Sequence, residues 1–345
     1  MNPTDTTIEP FPLDRIDWED RRFAIESFLP CTEIEASLSR FGLLTPPWVL
    51  KTGYGRGAIV DGFKRMTCLR EWGLGPVPCA VFPAETSARE LWTRRLEART
   101  FGPPPNVAEK AQIVSFLMGG SLKEELVEHF LAAFSLPRRT EVLDRWKRLA
   151  NAGTGLLEAA ARGSLHERAA LELAAWPEIS EERQVLVSML EQLRCSASIQ
   201  VEIIDRFRDI SMARSQTVGE LLHSYEVGCI LDHPQWNHRE KTLALREWLD
   251  RLRFPRLKAR ERYFSERISL TPPPADVSIA PPPSFEGAGW KMEIHFTDGE
   301  HLRGTLARLT SWSLSAGFAA LLVPESDPGS KSGTSSPWKP HSMDG

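Results

Sequence analysis

Four residues in one short run carry the types and spacing that chemistry needs. They are Asp61, Gly62, Lys64 and Arg65, within Ile59-Val60-Asp61-Gly62-Phe63-Lys64-Arg65-Met66. Ile59 and Val60 are β-branched and run into Asp-Gly, a turn signal. Met66, Leu69 and Trp72 then recur near the helical period, and Gly73 supplies a left-handed stop. A helix that opens after a glycine presents unpaired N–H groups and a partial positive charge. Lys64 and Arg65 add two cations there, which makes a site for an anion, phosphate above all. Cations at a helix start oppose the helix's own dipole, so a bound anion would account for them. Two solvated cations on an ordinary turn is the competing account, and spacing alone does not choose.

The elements that must hold this corner alternate between strand and helix. Phe11, Leu13 and Ile16 suggest a first strand. Thr32 and Glu35 read as a capping box opening a helix with Ile34, Leu38 and Phe41 on one side, ended by Gly42. Trp48 to Leu50 is a strand, turned back by Gly53-Tyr54-Gly55 into Ala58 to Val60, and Val77 to Phe82 is apolar enough to be a buried strand. Ser87 and Glu90 form a second capping box, with its helix running to about Arg99. Together these predict a small α+β domain over residues 8–100. Phe101 to Asn106 (Phe-Gly-Pro-Pro-Pro-Asn) cannot be helix and marks the way out.

From Asn106 the periodicity is helical. Val107 to Met118 is one helix; Leu122, Leu126, Val127, Phe130 and Leu131 stripe the next. Ser135-Leu136-Pro137 interrupts it. Arg138 to Ala150 resumes with Val142, Leu143, Trp146 and Leu149 on one face, a pair of helices of the kind a helix-turn-helix requires. The outward face of the second helix then holds Thr140, Glu141, Asp144, Lys147 and Arg148, with Arg138 and Arg139 at its start. Arg138, Arg139 and Thr140 suit base edges, while Lys147 and Arg148 suit phosphates. Glu141 and Asp144 would repel phosphate, and a helical bundle with a mixed-charge surface is the alternative. Leu156 to Arg162 stops at Gly163; Ser164 and Glu167 read as a capping box for Leu165 to Trp176; helices at Glu181 to Leu193 and Ile199 to Ile210 complete the series. The predicted helical domain spans 106–215.

Asp61-Gly62-Phe63-Lys64-Arg65, with Gly73-Leu74 and Val77-Pro78 after it, resembles the G-x-x-R box of the ParB/sulfiredoxin superfamily. Gly42-Leu43-Leu44 and Pro46-Pro47 are similar to the turn that leads into that box. Asn106, Glu109 and Ala111 resemble the Asn-Pro-x-Glu-x-Ala opening of the ParB helical domain. The segment with Gly163 and His166 resembles the stretch just C-terminal to that family's helix-turn-helix. The resemblance covers residues 8 to 210. It implies an N-terminal ParB/sulfiredoxin-like α+β domain, a mainly α-helical domain with a helix-turn-helix, and a nucleotide's phosphates held by Asp61, Gly62, Lys64 and Arg65. Glu97 matches the Glu of the family's Glu-Asn-x-x-Arg box, but Ala98 replaces its Asn, a residue expected to help hold Mg2+ and triphosphate. Phe63 stands where sulfiredoxins carry their catalytic cysteine, so that chemistry is not expected. The resemblance further implies CTP or another nucleoside triphosphate as ligand, with Mg2+, DNA and a second copy of the chain as partners, and a partition ATPase beside them.

Composition sets bounds. The chain has 345 residues, a formal charge of -4 and 41 % hydrophobic residues. There is room for several domains with cores of their own, and any contact with nucleic acid must come from a local patch. Five scattered cysteines without C-x-x-C spacing suggest reduced thiols and a cytoplasmic, nucleoid-associated place. No apolar run reaches the ~18 residues of a membrane span. Cys229, His233 and His238 are irregularly spaced and read as a loop rather than as zinc ligands. Residues 216–270 read as a helical extension and 271–289 as a proline-rich linker. Residues 290–325 read as a small C-terminal β-hairpin appendage, Trp290 to Phe296 turning at Asp298-Gly299 and returning through Leu302 and Leu306. Residues 326–345 read as a disordered tail.

The expected function is therefore ParB-like DNA binding, responsive to nucleotide, in partition or transcriptional regulation. The alternatives are a nucleotide hydrolase or phosphotransferase working through the N-terminal domain, a weak CTPase among them, and an interaction scaffold without a ligand.

Overall fold

A computed structural model describes residues 6–176, 180–286 and 289–322. The chain divides into two compact units, Met1–Asp205 and Arg206–Gly345.

The first unit opens on a five-stranded mixed sheet in the order β1-β5-β3-β4-β2. Its strands are β1 (Thr7–Phe11), β2 (Ile16–Asp17), β3 (Trp48–Lys51), β4 (Gly57–Asp61) and β5 (Val77–Phe82). β3 pairs antiparallel with β4 and parallel with β5. Three helices accompany them: α1 (Thr32–Phe41), α2 (Phe63–Glu71) and α3 (Ala88–Thr100). Phe11, Ile16, Val49, Ile59, Met66, Leu69, Val77, Cys79 and Val81 form the core. Gly57 is held to glycine by packing, since a Cβ there would lie 2.5 Å from Val49 and 2.6 Å from Phe11.

Two details of this half differ from the sequence reading. Thr32 does not cap α1: Cys31 takes the capping position and no side chain closes the helix start. Trp72, expected on the apolar stripe of α2, is 42 % exposed, and Cys68 is buried beside Met66 and Leu69 instead. Ser87 does cap α3, accepting from the Glu90 amide at 3.2 Å, while the Glu90 carboxylate turns to Arg94.

Helices then succeed one another almost without interruption: α4 (Val107–Leu117), α5 (Glu124–Ala133), α6 (Thr140–Ala150), α7 (Thr154–Arg162), α8 (Glu167–Ala174), α9 (Ser180–Leu193) and α10 (Ala197–Arg214). The proline run before α4 ends in a full capping box between Asn106 and Glu109. The expected box at Ser164 and Glu167 does not form. His166 occupies the capping position, and the Ser164 hydroxyl goes to the Ala159 carbonyl and the Glu191 carboxylate. The turn before α8 is held by a buried side chain: Gln200 accepts from the His166 amide at 2.9 Å and donates to the Ser164 carbonyl at 2.8 Å.

The second unit holds α11 (Val218–Leu222), α12 (Tyr225–Leu231), α13 (His238–Arg253), α14 (Pro255–Leu270), the strands β6 (Val277–Ala280) and β7 (Lys291–Ile294), and α15 (Gly299–Ser313) with α16 (Ala316–Leu322). Here the hairpin expectation is corrected. β7 pairs antiparallel with β6, which lies inside the stretch read as a linker, and the expected return through Leu302 and Leu306 is helix. Asp-Gly serves either as a hairpin turn or as a helix start. Asp298 accepts from the amides of Glu300 and His301 at 2.9 and 2.8 Å, and this cap selects the helix. Of the three residues read as a loop rather than as zinc ligands, only His233 lies in a loop, stacked on Trp236 at 3.9 Å; Cys229 is in α12 and His238 opens α13. The tail expected at 326–345 lies outside the described residues.

Candidate functional site

The corner singled out in the sequence is the junction of β4 and α2. Gly62 sits there at φ +85°, the left-handed region, and a Cβ on it would come within 2.9 Å of the Arg65 guanidinium and 3.1 Å of Pro47. Glycine is required here for conformation, and the space beside it is tight. No side chain caps α2, so its first amides face the corner unclaimed by a cap.

Both expected cations turn inward. Lys64 Nζ donates to the Leu29 carbonyl at 2.7 Å. Arg65 donates to the Thr45 carbonyl and pairs with Asp61 Oδ2 at 3.1 Å. The loop before β3 is thereby tied to the start of α2, with the Ala80 amide donating to the Pro47 carbonyl at 2.8 Å. A neutral carbonyl positions Lys64 without cancelling its charge, whereas Arg65 is shared between a carbonyl and the Asp61 carboxylate.

A third cation joins them from α3. Arg95 is 8 % exposed, its Nε lies 3.4 Å from Asp61 Oδ1, and its guanidinium stands 5.6 Å from the rings of both Phe63 and Trp92. Its Nη1 is buried without a hydrogen-bond partner. An unpaired buried donor of this kind costs about 1–3 kcal/mol. Burial pulls the Arg95 guanidinium below its ordinary range, with Asp61 opposing that shift. Three cations thus stand against one carboxylate around an uncapped helix start, an arrangement suited to a phosphate. Cys79, on β5, is pushed up to about 11 by burial, and the nearby Arg65 charge works against that rise.

Arg95 escaped the sequence reading, though a signal was present. It lies among Leu91, Trp92 and Leu96 on the buried face of α3, where a charged residue is out of pattern. Glu97 is not brought to the corner. It stands about 200° further round the helix, and its carboxylate meets His129 of α5 at 3.1 Å.

The second set lies on and before α6. This helix buries Leu143, Trp146 and Leu149 against α4 and α8. Thr140, Glu141, Asp144, Lys147 and Arg148 are all exposed, as the stripe implied, and so are Arg138 and Arg139. α6 begins at Thr140, so the two arginines precede it on the connection from α5. Leu136 anchors that connection, buried and donating its amide to the Leu131 carbonyl at 2.7 Å. Arg145, which the sequence pattern did not single out, is exposed and pairs with Glu172 of α8 at 3.0 Å.

No protein-family model and no curated protein matches the chain. Among solved structures, it is similar to the C-terminally truncated chromosome-partitioning protein ParB from Caulobacter crescentus. In that protein's complex with the centromeric parS site the identity is 17 %, the TM-score 0.32, and the match covers 56 % of this chain and 96 % of that one. In its complex with CTP-gamma-S the identity is 19 % and the TM-score 0.22, over 53 % and 98 % of the two chains. No helix among the described residues is long and apolar enough to cross a membrane.

Proposed function

We propose that this is a ParB-like DNA-binding protein in which the β4–α2 corner takes the phosphates of a nucleotide, CTP by resemblance, and the connection into α6 together with its exposed face takes DNA. The observation that carries the reading is that one compact unit holds both an uncapped, cation-lined helix start and an exposed cationic helix following a short turn. Phosphate fits the corner, because Arg95 has a buried N–H to spare and Lys64 and Arg65 are already positioned. Mg2+ does not fit it in this arrangement. The two Asp61 oxygens are engaged by Arg65 and Arg95, and Glu97 is turned to His129. Binding without turnover is therefore favoured over the hydrolase alternative, since hydrolysis needs a held metal and a positioned water.

The role proposed is nucleotide-responsive DNA binding in partition or regulation, by a homodimer on the resemblance. The test measures retention of labelled CTP and ATP, with and without duplex DNA, alongside phosphate release. Retention without release supports the reading, and Arg65→Gln should abolish it with the helical content unchanged. Release that is independent of DNA favours the hydrolase, and neither retention nor DNA binding favours the scaffold.

A further inference from the structure

One cleft lies away from the β4–α2 corner, at the last turns of α6. It holds about 440 Å³ and is lined by Asp144, Lys147, Arg148 and Asn151 on one side, with Ala174 and Arg183 closing it. This volume falls in the range of roughly 300–1,000 Å³ typical of small-ligand sites. Asp144, Lys147, Arg148 and Asn151 are spaced so that they share one face of α6 as it runs out. The Asn151 side chain is fastened to the Lys147 carbonyl at 2.9 Å, which keeps the end of the helix in order.

Three cations and one carboxylate meet in this cleft. Lys147 and Arg148 have an ordinary reason to be there, because cations suit a helix C-terminus. Arg183 has none. It stands in the opening residues of α9, where the helix dipole disfavours a cation, and its Nε is buried without a hydrogen-bond partner. Arg183 lines a polar cleft beside two further cations, and its buried Nε lacks an acceptor oxygen.

We propose that this cleft is a phosphate-binding site in which Lys147, Arg148 and Arg183 share one phosphate group, supplied by the backbone of DNA or by a free phosphate ligand. The proposal adds Arg183 and α9 to the DNA surface and rests on the DNA-binding reading only for the first of those sources. Fluorescence anisotropy with a labelled 24-base-pair duplex across a salt series, and calorimetry with inorganic pyrophosphate, test it on the full chain and on Arg183→Gln and Arg148→Gln. The second variant is on the surface and guards against a misfolded first.

If DNA is the source, each variant lowers the slope of log affinity against log salt by about 0.9 and weakens binding about tenfold. If the source is free phosphate, Arg183→Gln leaves DNA binding unchanged, and a pyrophosphate site vanishes in both variants while surviving in Arg65→Gln. An unchanged slope in Arg183→Gln together with unchanged pyrophosphate binding in both variants overturns the cleft and leaves the DNA reading standing. A wild-type chain that ignores DNA sinks that reading, and the pyrophosphate arm still judges the cleft.

Discussion

Replacing Arg95 by methionine separates a structural role from a ligand-binding one, because the two predict opposite signs. Methionine keeps an unbranched stem of similar length and removes the charge. On the stability side, the change relieves a buried guanidinium whose Nη1 has no partner, worth about 1–3 kcal/mol. It gives up a long ion pair to the half-exposed Asp61, worth no more than about 1 kcal/mol, and cation–π contacts with Phe63 and Trp92 of about 0.5–1 kcal/mol each. Thioether–aromatic contacts recover part of that last loss. Asp61 keeps its partner in Arg65 at 3.1 Å, so no carboxylate is stranded.

The sum lies near zero and leans toward stabilisation, as is common when a buried charge yields to an apolar side chain. The expected change in Tm is between none and about +4 °C, at roughly 2–4 °C per kcal/mol for a unit of this size. On the binding side, a charge-assisted hydrogen bond to phosphate worth about 1.5–3 kcal/mol disappears, which is about 10- to 150-fold in Kd. Thermal shift across a CTP titration reads both quantities in one experiment, because a ligand at 100 times its Kd raises stability by about 2.7 kcal/mol. A variant that melts well below wild type while binding CTP equally well would refute the reasoning. Arg95 would then be a strut of the fold and not a ligand to phosphate.

Two further outcomes are expected. Gly62→Ala places a Cβ 2.9 Å from the Arg65 guanidinium at a φ that disfavours side chains; it should cost about 1–2 kcal/mol by chemical denaturation and weaken CTP binding by displacing Arg65. Cys79, buried and pushed up to about 11 from its ordinary value near 9, should make folding sensitive to alkali. Between those two values the unfolded chain has lost the thiol proton and the folded chain still holds it, so stability falls as pH rises, by up to about 1.4 kcal/mol per unit. Cys79→Ala should flatten that part of the pH profile in urea melts.

Several features were legible in the residues alone because the physics that sets them is local. β-branched pairs, Asp-Gly and Asn106 with Glu109 act within a few positions of themselves, and they placed β4, the start of α2 and the start of α4. The stripe of Leu143, Trp146 and Leu149 likewise determined which side chains of α6 face water, because helical period and burial leave one choice.

What lay beyond reach depended on partners distant in the chain. Asp298-Gly299 is compatible with a turn or a cap, and the chain's own choice of β6 as the partner of β7 goes with the cap. Thr32 and Ser164 have the right types for capping boxes, but the backbone enters each helix elsewhere. Arg95 shows the limit best. Its position on an apolar face was visible, yet only the packing of α3 beside the β4–α2 corner sets its guanidinium against Asp61 and leaves one donor over. Sequence determined that a cationic helix start exists. Tertiary structure decided that its lysine and arginine point inward, that a third cation joins them and that Glu97 does not, because contacts across the chain, and not local propensity, orient side chains at a site.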